Sequence, residues 1–185
     1  VPYLKDRSAL SEMELARIDP QSLNLCPQAV KRAYQQGCKA DTLVATHVYG
    51  NPCDVQALDE LSEQNNFQII YDAAHAFGVK LNGNSVLNYG DASTLSFHAT
   101  KVFHTVEGGA IVFKDRSNYE NAEEIINFGI RPEKGVINVG INAKMNEYQA
   151  AVGLVNLEEI DNILNHRAEL FHAYQQGLKD LVTLP

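Results

Sequence analysis

Residues 42–72 have the sequence TLVATHVYGNPCDVQALDELSEQNNFQIIYD. The β-branched residues of its first part, TLVATHV, predict one strand, and FQIIY near its end predicts a second. Between the two strands, Val55, Leu58 and Leu61 fall on one face of a helix, which Asp54 is suited to cap. A strand, a helix and a strand within about thirty residues form a βαβ unit, whose strands are parallel and whose crossover is right-handed.

The rest of the chain alternates in the same way between short apolar runs and helical periodicity. Further predicted elements are an irregular arm with one short helix over 1–23, a helix over 27–37, a turn-rich hairpin-like segment over 78–90, strands over 92–97 and 109–113, a helix over 118–128, a loop over 130–142 and a long helix from about 145 to 178. A kink in the long helix is expected near Gly153. This alternation predicts an α/β fold, with a mostly parallel sheet and helices on both of its faces.

The composition is that of a globular protein with an acidic balance. The chain has 185 residues, of which 45% are hydrophobic and 21% charged, and its formal net charge is −8. Such a charge argues against nucleic acid or an anionic membrane as the main partner. The sequence contains no apolar run of about 18 residues, so no membrane span is expected. The three cysteines lack zinc-like spacing, and we expect reduced thiols in a cytoplasmic protein without a metal site.

Two residues with useful chemistry follow predicted strands. Asp72 ends the second strand of the βαβ unit, and Lys101 ends the run LSFHATK. Ligands of open α/β sheets bind at the carboxyl ends of the strands, so the two side chains are expected to meet there. A lysine can hold an aldehyde cofactor as a Schiff base, and an aspartate can keep a pyridinium nitrogen protonated. Pyridoxal phosphate needs both groups, although Asp72 alone could be a turn cap and Lys101 alone a solvated residue.

The neighbours of these two residues suit the same ligand. The small residues in AAHAFG, directly after Asp72, leave room for a flat ring near the backbone. His75 can hydrogen-bond a phenolic oxygen on such a ring, or it can be a partly buried structural histidine. Ser96 can bind a phosphate or cap the end of its strand, and Thr100 offers a second hydroxyl.

Four motifs resemble segments of the DegT-type sugar aminotransferases, which are fold-type-I pyridoxal phosphate enzymes. They are SFHATK at 96–101 with EGGA at 107–110, DAAHAFG at 72–78, HVYG at 47–50, and GINAKMNEYQAA at 140–151. The first resembles the family's lysine segment. The second resembles its cofactor-ring segment, in which glutamine or histidine stands at the position of His75. The resemblance runs from about residue 20 to the end of the chain.

The resemblance implies the central part of a fold-type-I large domain that binds pyridoxal 5'-phosphate. By this resemblance, Lys101 is the catalytic residue, which forms the Schiff base and later moves a proton between the substrate and cofactor carbons. Asp72 would pair with the pyridinium nitrogen. His75 would contact the 3-oxygen of the ring, and Ser96 would bind the phosphate.

The resemblance also implies an assembly. Asn142, with Lys144 as the alternative, would reach the phosphate or the substrate of a neighbouring subunit. The full-length protein would then be a homodimer with its sites at the subunit interface.

The activity that the resemblance implies is transfer of an amino group to a keto group of a nucleotide-linked deoxysugar. Glutamate is the expected amino-acid donor, and the products would feed the synthesis of surface polysaccharides or glycosylated metabolites. Relatives with histidine in place of the lysine are sugar dehydratases, so Lys101 favours transamination over dehydration. A non-catalytic fragment that binds a partner chain is the other alternative.

The extent of the chain bears on these expectations. It begins at Val1 without a methionine and stops at Pro185, directly after the long helical pattern. The family has further residues before this region and a smaller domain after the helix. We therefore expect residues 1–185 to be a partial large domain, with the helix at about 145–178 leading toward an absent C-terminal small domain.

Overall fold

The computed structural model describes residues 16–182 as a mixed sheet with helices packed against it. The helices are α1 (Pro27–Gln35), α2 (Val55–Asn65), α3 (Arg116–Ile126), α4 (Glu147–Glu158) and α5 (Ile160–Leu178). The strands are β1 (Thr42–Thr46), β2 (Gln68–Asp72), β3 (Lys80–Leu81), β4 (Asn84–Ser85), β5 (Ala92–Ser96), β6 (Gly109–Phe113), β7 (Ile130–Arg131) and β8 (Gly135–Val136).

The central sheet has four strands in the order β1-β2-β5-β6. Strands β1, β2 and β5 run parallel, whereas β6 pairs with β5 in the antiparallel direction. The βαβ unit predicted for residues 42–72 is present as β1, α2 and β2. The predicted α/β fold with a mostly parallel sheet is therefore confirmed.

The antiparallel direction of β6 follows from the loop that precedes it. Ser96 at the end of β5 lies opposite Gly109 at the start of β6, so residues 97–108 leave and re-enter the sheet at the same end. The Phe97 N–H donates to the Gly108 carbonyl at 2.9 Å, which closes the base of this loop. We call residues 97–108 the lysine loop. It stands at the carboxyl end of β5, beyond the parallel strands.

The main core lies between the sheet and helices α1 and α2. Its buried residues are Val30, Ala45, Cys53, Val55, Leu58, Leu61, Phe67, Ile69 and Tyr71. The Asp54 carboxylate accepts a hydrogen bond from the Ala57 N–H at 3.1 Å, which confirms its predicted capping of α2. Since side chains alternate along a strand, Ile69 and Tyr71 face this core and Asp72 faces the opposite side of the sheet.

The structure corrects the prediction of one long helix with a kink near Gly153. Helices α4 and α5 are separate and meet at Glu159, where φ is −102° and ψ is 1°. Gly153 lies inside α4 and is buried. A Cβ atom there would lie 2.9 Å from Thr105 Cγ2 and 3.6 Å from Phe103 Cζ. The glycine is thus needed for close packing of α4 on the lysine loop, and the helix does not bend at it.

Three smaller predictions have different outcomes. The hairpin-like segment over 78–90 is confirmed, because β3 and β4 pair in the antiparallel direction. The segment over 130–142 is more regular than predicted, since β7 and β8 form a second hairpin within it. The irregular arm over 1–23 lies largely outside the described residues, which show only its last part. None of the helices within residues 16–182 combines the length and the apolar character that crossing a membrane requires.

Replacing Leu58 by alanine should lower the free energy of unfolding by about 2–5 kcal/mol, because the fully buried side chain would leave a cavity in the main core. Urea denaturation followed by circular dichroism measures this change. The matched control is Gln56→Ala, at an exposed position of the same helix, where a change within about 0.5 kcal/mol is expected. Equal stability of the two variants would contradict the placement of Leu58 in the core.

Candidate active site

A cavity of about 480 Å³ lies beyond the carboxyl ends of the parallel strands. Its walls come from the segments that follow β1, β2 and β5, and from α5. The lining residues are Tyr49, Ala74, His75, Phe77, Val79, Thr100, Lys101, Val102, Leu164 and Arg167. The structure thus brings two of the predicted site residues, Lys101 and His75, into one cavity.

Three phenylalanines hold the lysine loop against the segment that carries His75. The Phe103 ring stacks on the Phe77 ring with centroids 4.4 Å apart, and Phe97 meets Phe103 edge to face at 4.9 Å. Phe103 is buried. Such ring pairs contribute about 0.5–1.5 kcal/mol each beyond the burial of their area. This aromatic cluster, Phe77, Phe97 and Phe103, joins the two loops that form the cavity.

Helix α4 supports the lysine loop from its other side. The Asn156 side-chain amide donates to the His104 carbonyl at 2.8 Å, and Gly153 gives the helix its close approach to Phe103. Within the loop, the Lys101 N–H donates to the His98 carbonyl at 2.9 Å. The loop backbone next to the lysine is therefore fixed by contacts on both sides.

Asp72 and Ser96 lie at the same end of the sheet but do not line the cavity. Asp72 is opposite Thr94 in the parallel register, and Ser96 follows Thr94 by two residues, so both side chains point to the same face. One carboxylate oxygen of Asp72 accepts from the Ala74 N–H at 3.0 Å. Its other oxygen has no hydrogen-bond partner among residues 16–182.

Asn142 and Lys144 lie on the connection between α3 and α4, away from the cavity of their own chain. Asn142 forms an isolated antiparallel bridge with Asn127. The Lys144 ammonium group donates to the Asn127 side-chain oxygen at 2.5 Å and lies 4.7 Å from the centre of the Phe128 ring. The role of either residue in a neighbouring subunit stays a prediction.

The motif HVYG at 47–50 resembles a strand followed by a turn, and the structure has this turn after β1; sequence reasoning missed only that its Tyr49 lines the cavity. Asn24 is buried and holds this turn with three hydrogen bonds: its amide donates to the carbonyls of Asn51 at 3.1 Å and Pro52 at 3.0 Å, and its oxygen accepts from the Val48 N–H at 2.9 Å. The dipeptide of Tyr49 and glycine was a signal of a turn. Asn24 is distant in sequence from this turn, and no sequence pattern predicted that it would hold the turn in place.

His47 connects this turn to Asp72. The backbone N–H of His47 donates to the Asp72 carbonyl at 3.0 Å, and its ring Nδ1 accepts from the Cys53 N–H at 3.0 Å. The His47 ring stacks on the Tyr71 ring, with centroids 4.6 Å apart. Burial lowers the pKa of the His47 imidazole to about 4, against the opposing effect of the Asp72 charge. Because Nδ1 accepts, the single proton of the neutral ring is assigned to Nε2. That buried N–H has no partner among the described residues.

Within residues 16–182, no three histidine, cysteine or acidic side chains are grouped closely enough to hold a metal ion. Lys101, His75, Asp72 and Ser96 supply an amine, an imidazole, a carboxylate and a hydroxyl group at this end of the sheet.

The sequence matches one family model over nearly its whole length. Residues 11–185 match the DegT/DnrJ/EryC1/StrS aminotransferase family. A dTDP-4-amino-4,6-dideoxy-D-glucose transaminase of Shigella dysenteriae is 46% identical over 143 residues, which cover 77% of this chain and 39% of that protein. A GDP-perosamine synthase of Escherichia coli O157:H7 is 33% identical, with 78% of this chain and 40% of that protein covered. The chain thus spans less than half the length of these relatives.

Solved structures show the same fold. The structure of DesI with its TDP-sugar product matches 90% of this chain and 42% of its own, with a TM-score of 0.81 and 34% sequence identity. PseC of Helicobacter pylori, an aminotransferase of pseudoaminic acid biosynthesis, matches 90% of this chain and 45% of its own, with a TM-score of 0.84 and 26% identity. These neighbours confirm the predicted likeness to fold-type-I transferases. The division into a partial large domain and a C-terminal small domain stays a prediction.

The buried, neutral His47 should make stability depend on pH. The unfolded chain protonates this ring near pH 6.5, and the folded protein does so only near pH 4, so the unfolded state binds more protons between these values. The free energy of unfolding should therefore fall as the pH decreases from 6.5 toward 4, by roughly 3 kcal/mol over that window. Urea denaturation at several pH values measures this slope.

The variant His47→Asn serves as the comparison, since it keeps an acceptor for the Cys53 N–H and does not titrate. Its stability should depend less on pH in this window. The same slope in both proteins would contradict the assignment of the effect to His47.

Proposed function

This chain belongs to the DegT/DnrJ/EryC1/StrS aminotransferase family, and we propose that its protein is a pyridoxal phosphate-dependent aminotransferase acting on a nucleotide-linked deoxysugar. The observation that carries the proposal is the cavity beyond the parallel strands, which Lys101 and His75 share, with Asp72 at the same end of the sheet. The amino group would come from glutamate and pass to a keto group of the sugar.

The residues present fit pyridoxal 5'-phosphate. The amine of Lys101 would hold the cofactor covalently, and the unpaired oxygen of Asp72 would keep the ring nitrogen protonated. His75 would donate to or accept from the 3-oxygen, and the Ser96 hydroxyl would bind the phosphate. When bound, the cofactor supplies an electron sink for the carbon that loses a proton.

Lys101 would act as the general base. Its loop is held by the aromatic cluster and by α4, so the amine is kept near the reacting carbon and need not be recruited from solution. The apolar walls of Phe77, Val79 and Val102 exclude water from one side of the cavity. The Lys101 side chain would take a proton from the donor's carbon and return it to the acceptor's carbon.

The nucleotide sugar as substrate class is supported by the relatives. Two of them are named for dTDP- and GDP-linked sugars or their products, and DesI was solved with a TDP-sugar. A lysine at position 101 supports transamination over the dehydration that relatives with histidine perform. The three cysteines form no disulfide, which is compatible with a cytoplasmic enzyme. Products of this class would feed polysaccharide or glycosylated metabolite synthesis.

A homodimer is proposed from the surface of α4. The middle of this helix, AAVGLV at residues 150–155, is apolar around its circumference, yet only Gly153 in it is buried. Tyr148 is 86% exposed and Val155 63%, and the preceding segment adds Val139 at 89%. A helix that is apolar on all sides is normally covered, and an exposed patch of this kind marks an interaction site. A second copy that covers α4 would also bring its Asn142 segment toward the neighbouring site.

Borohydride reduction of the full-length protein, loaded with pyridoxal phosphate, should attach the cofactor to Lys101, because that amine lines the cavity. Peptide mass spectrometry locates the adduct. Lys101→Ala should abolish both the adduct and the activity with glutamate, whereas Lys80→Ala, at an exposed position of β3, should keep both. Absence of an adduct on Lys101 would refute the proposed function, and a dehydrated product without glutamate consumption would favour the dehydratase.

Replacing Val155 by aspartate in the full-length protein should convert a dimer into a monomer, because a charge would be buried in the proposed interface. Sedimentation velocity measures the mass. The control Glu158→Ala removes an exposed charge from the same helix and should leave the dimer intact. A Val155→Asp protein that remains dimeric would place the interface elsewhere.

A further inference from the structure

Tyr49 is held in a strained backbone conformation at the edge of the Lys101 cavity. Its φ of 56° and ψ of 17° lie in the left-handed region, which a tyrosine adopts only at a cost in free energy. The side chain is 70% exposed, so packing of the ring does not offset that cost. The stability of the fold therefore does not explain why Tyr49 keeps this strained backbone conformation.

The surrounding structure imposes this conformation. Asn24 binds three backbone groups of the turn, as described above. Gly50 lies so close to the next segment that a Cβ there would be 2.7 Å from the His75 carbonyl oxygen. Residues that are held under strain from outside cluster at functional sites, where their placement matters more than their local energy.

Arg167 reaches the same cavity from α5. Leu164, which precedes it by three residues on the same helix face, packs over Gly78, where a Cβ would lie 3.1 Å from Leu164 Cδ1. Within residues 16–182, no carboxylate pairs with the guanidinium group of Arg167 or the ammonium group of Lys101, and none lines the cavity. This is a cationic cavity in a chain whose formal net charge is −8.

We propose that Tyr49 and Arg167 form an anion-binding subsite of the Lys101 cavity, an inference that rests on the proposed function. The guanidinium group can donate two parallel hydrogen bonds to a carboxylate or a phosphate, and the phenol O–H can donate a third. Apart from the phosphate of the cofactor, which Ser96 would bind, the reaction has two such anions, the carboxylates of the amino donor and the diphosphate of the sugar nucleotide. Binding one of them here would place the reacting carbon within reach of Lys101.

Calorimetric titration of the full-length protein tests the subsite and identifies the anion. Glutarate has the two carboxylates of the donor but no amino group, and inorganic pyrophosphate stands for the diphosphate of the nucleotide. Arg167→Gln should weaken binding of glutarate, of pyrophosphate or of both by about tenfold or more, and the affected probe names the source of the anion. The control is Arg32→Gln on α1, an exposed arginine outside the cavity, which should bind both probes as before.

The strain at Tyr49 gives an independent test. Tyr49→Gly relieves the left-handed conformation and should raise the melting temperature by roughly 2–5 °C, while the affinity for the same probe falls severalfold. Asn66→Gly is the matched control, because Asn66 has a φ of 57° at the end of α2 and is exposed away from the cavity. That change should leave the affinity unaltered. Tyr49→Phe removes only the hydroxyl and should weaken binding at unchanged stability.

The outcomes separate this proposal from the proposed function. If neither probe binds the unmodified protein, or if Arg167→Gln and Tyr49→Gly both bind as tightly as it does, the subsite is overturned. Labelling of Lys101 by borohydride should persist in Arg167→Gln, because Arg167 is not proposed to bind the cofactor. Failure of that labelling in the unmodified protein would refute the aminotransferase, and the anion titrations would remain interpretable.

Discussion

The packing of Phe103 between Phe77 and Phe97 is the contact on which the cavity depends. Phe77 follows β2, and the other two rings belong to the lysine loop. The lysine loop leaves the sheet after β5 and returns as β6, so the hydrogen bonds between these two strands do not fix the orientation of the residues in the middle of the loop. The rings supply that restraint, because they bury Phe103 and bring the backbone beside Lys101 against the segment of His75.

The remaining polar contacts connect the ends of the parallel strands to one another. His47 joins β1 to the carbonyl of Asp72 and receives the Cys53 N–H, and Asn24 ties the same turn to the start of the chain's described part. Of these residues, Asn24, His47 and Cys53 are buried, and Asp72 is half-buried. Buried polar side chains with directed bonds fix a geometry more sharply than apolar packing does. The geometry at the carboxyl ends of the parallel strands is thus fixed by contacts within the protein itself.

Much of this fold was accessible from the sequence, because its strongest signals are local. The spacing of Val55, Leu58 and Leu61 and the cap at Asp54 specify α2 without reference to the rest of the chain. Gly153 was misread, since a glycine within a helix predicts a kink unless one knows that Phe103 packs against it. Strands β7 and β8 have two residues each, too few for a period to be visible. Among the residues of the cavity, Lys101 and His75 could be paired from motifs. Tyr49 lies in the HVYG motif but had no predicted role, and Arg167 had no signal, because the packing of α5 brings it to the cavity.

The close approach of α4 to the lysine loop has a mechanical meaning. Gly153 lets α4 approach Phe103 closely, and the Asn156 amide donates to the His104 carbonyl, so α4 and the lysine loop are packed against each other. The face of α4 that points away from the lysine loop is exposed. A second copy that covers this face, as proposed above, would contact the helix that supports the lysine loop. Under the proposed homodimer, a change in the contact between the subunits would reach the loop that carries Lys101 through α4.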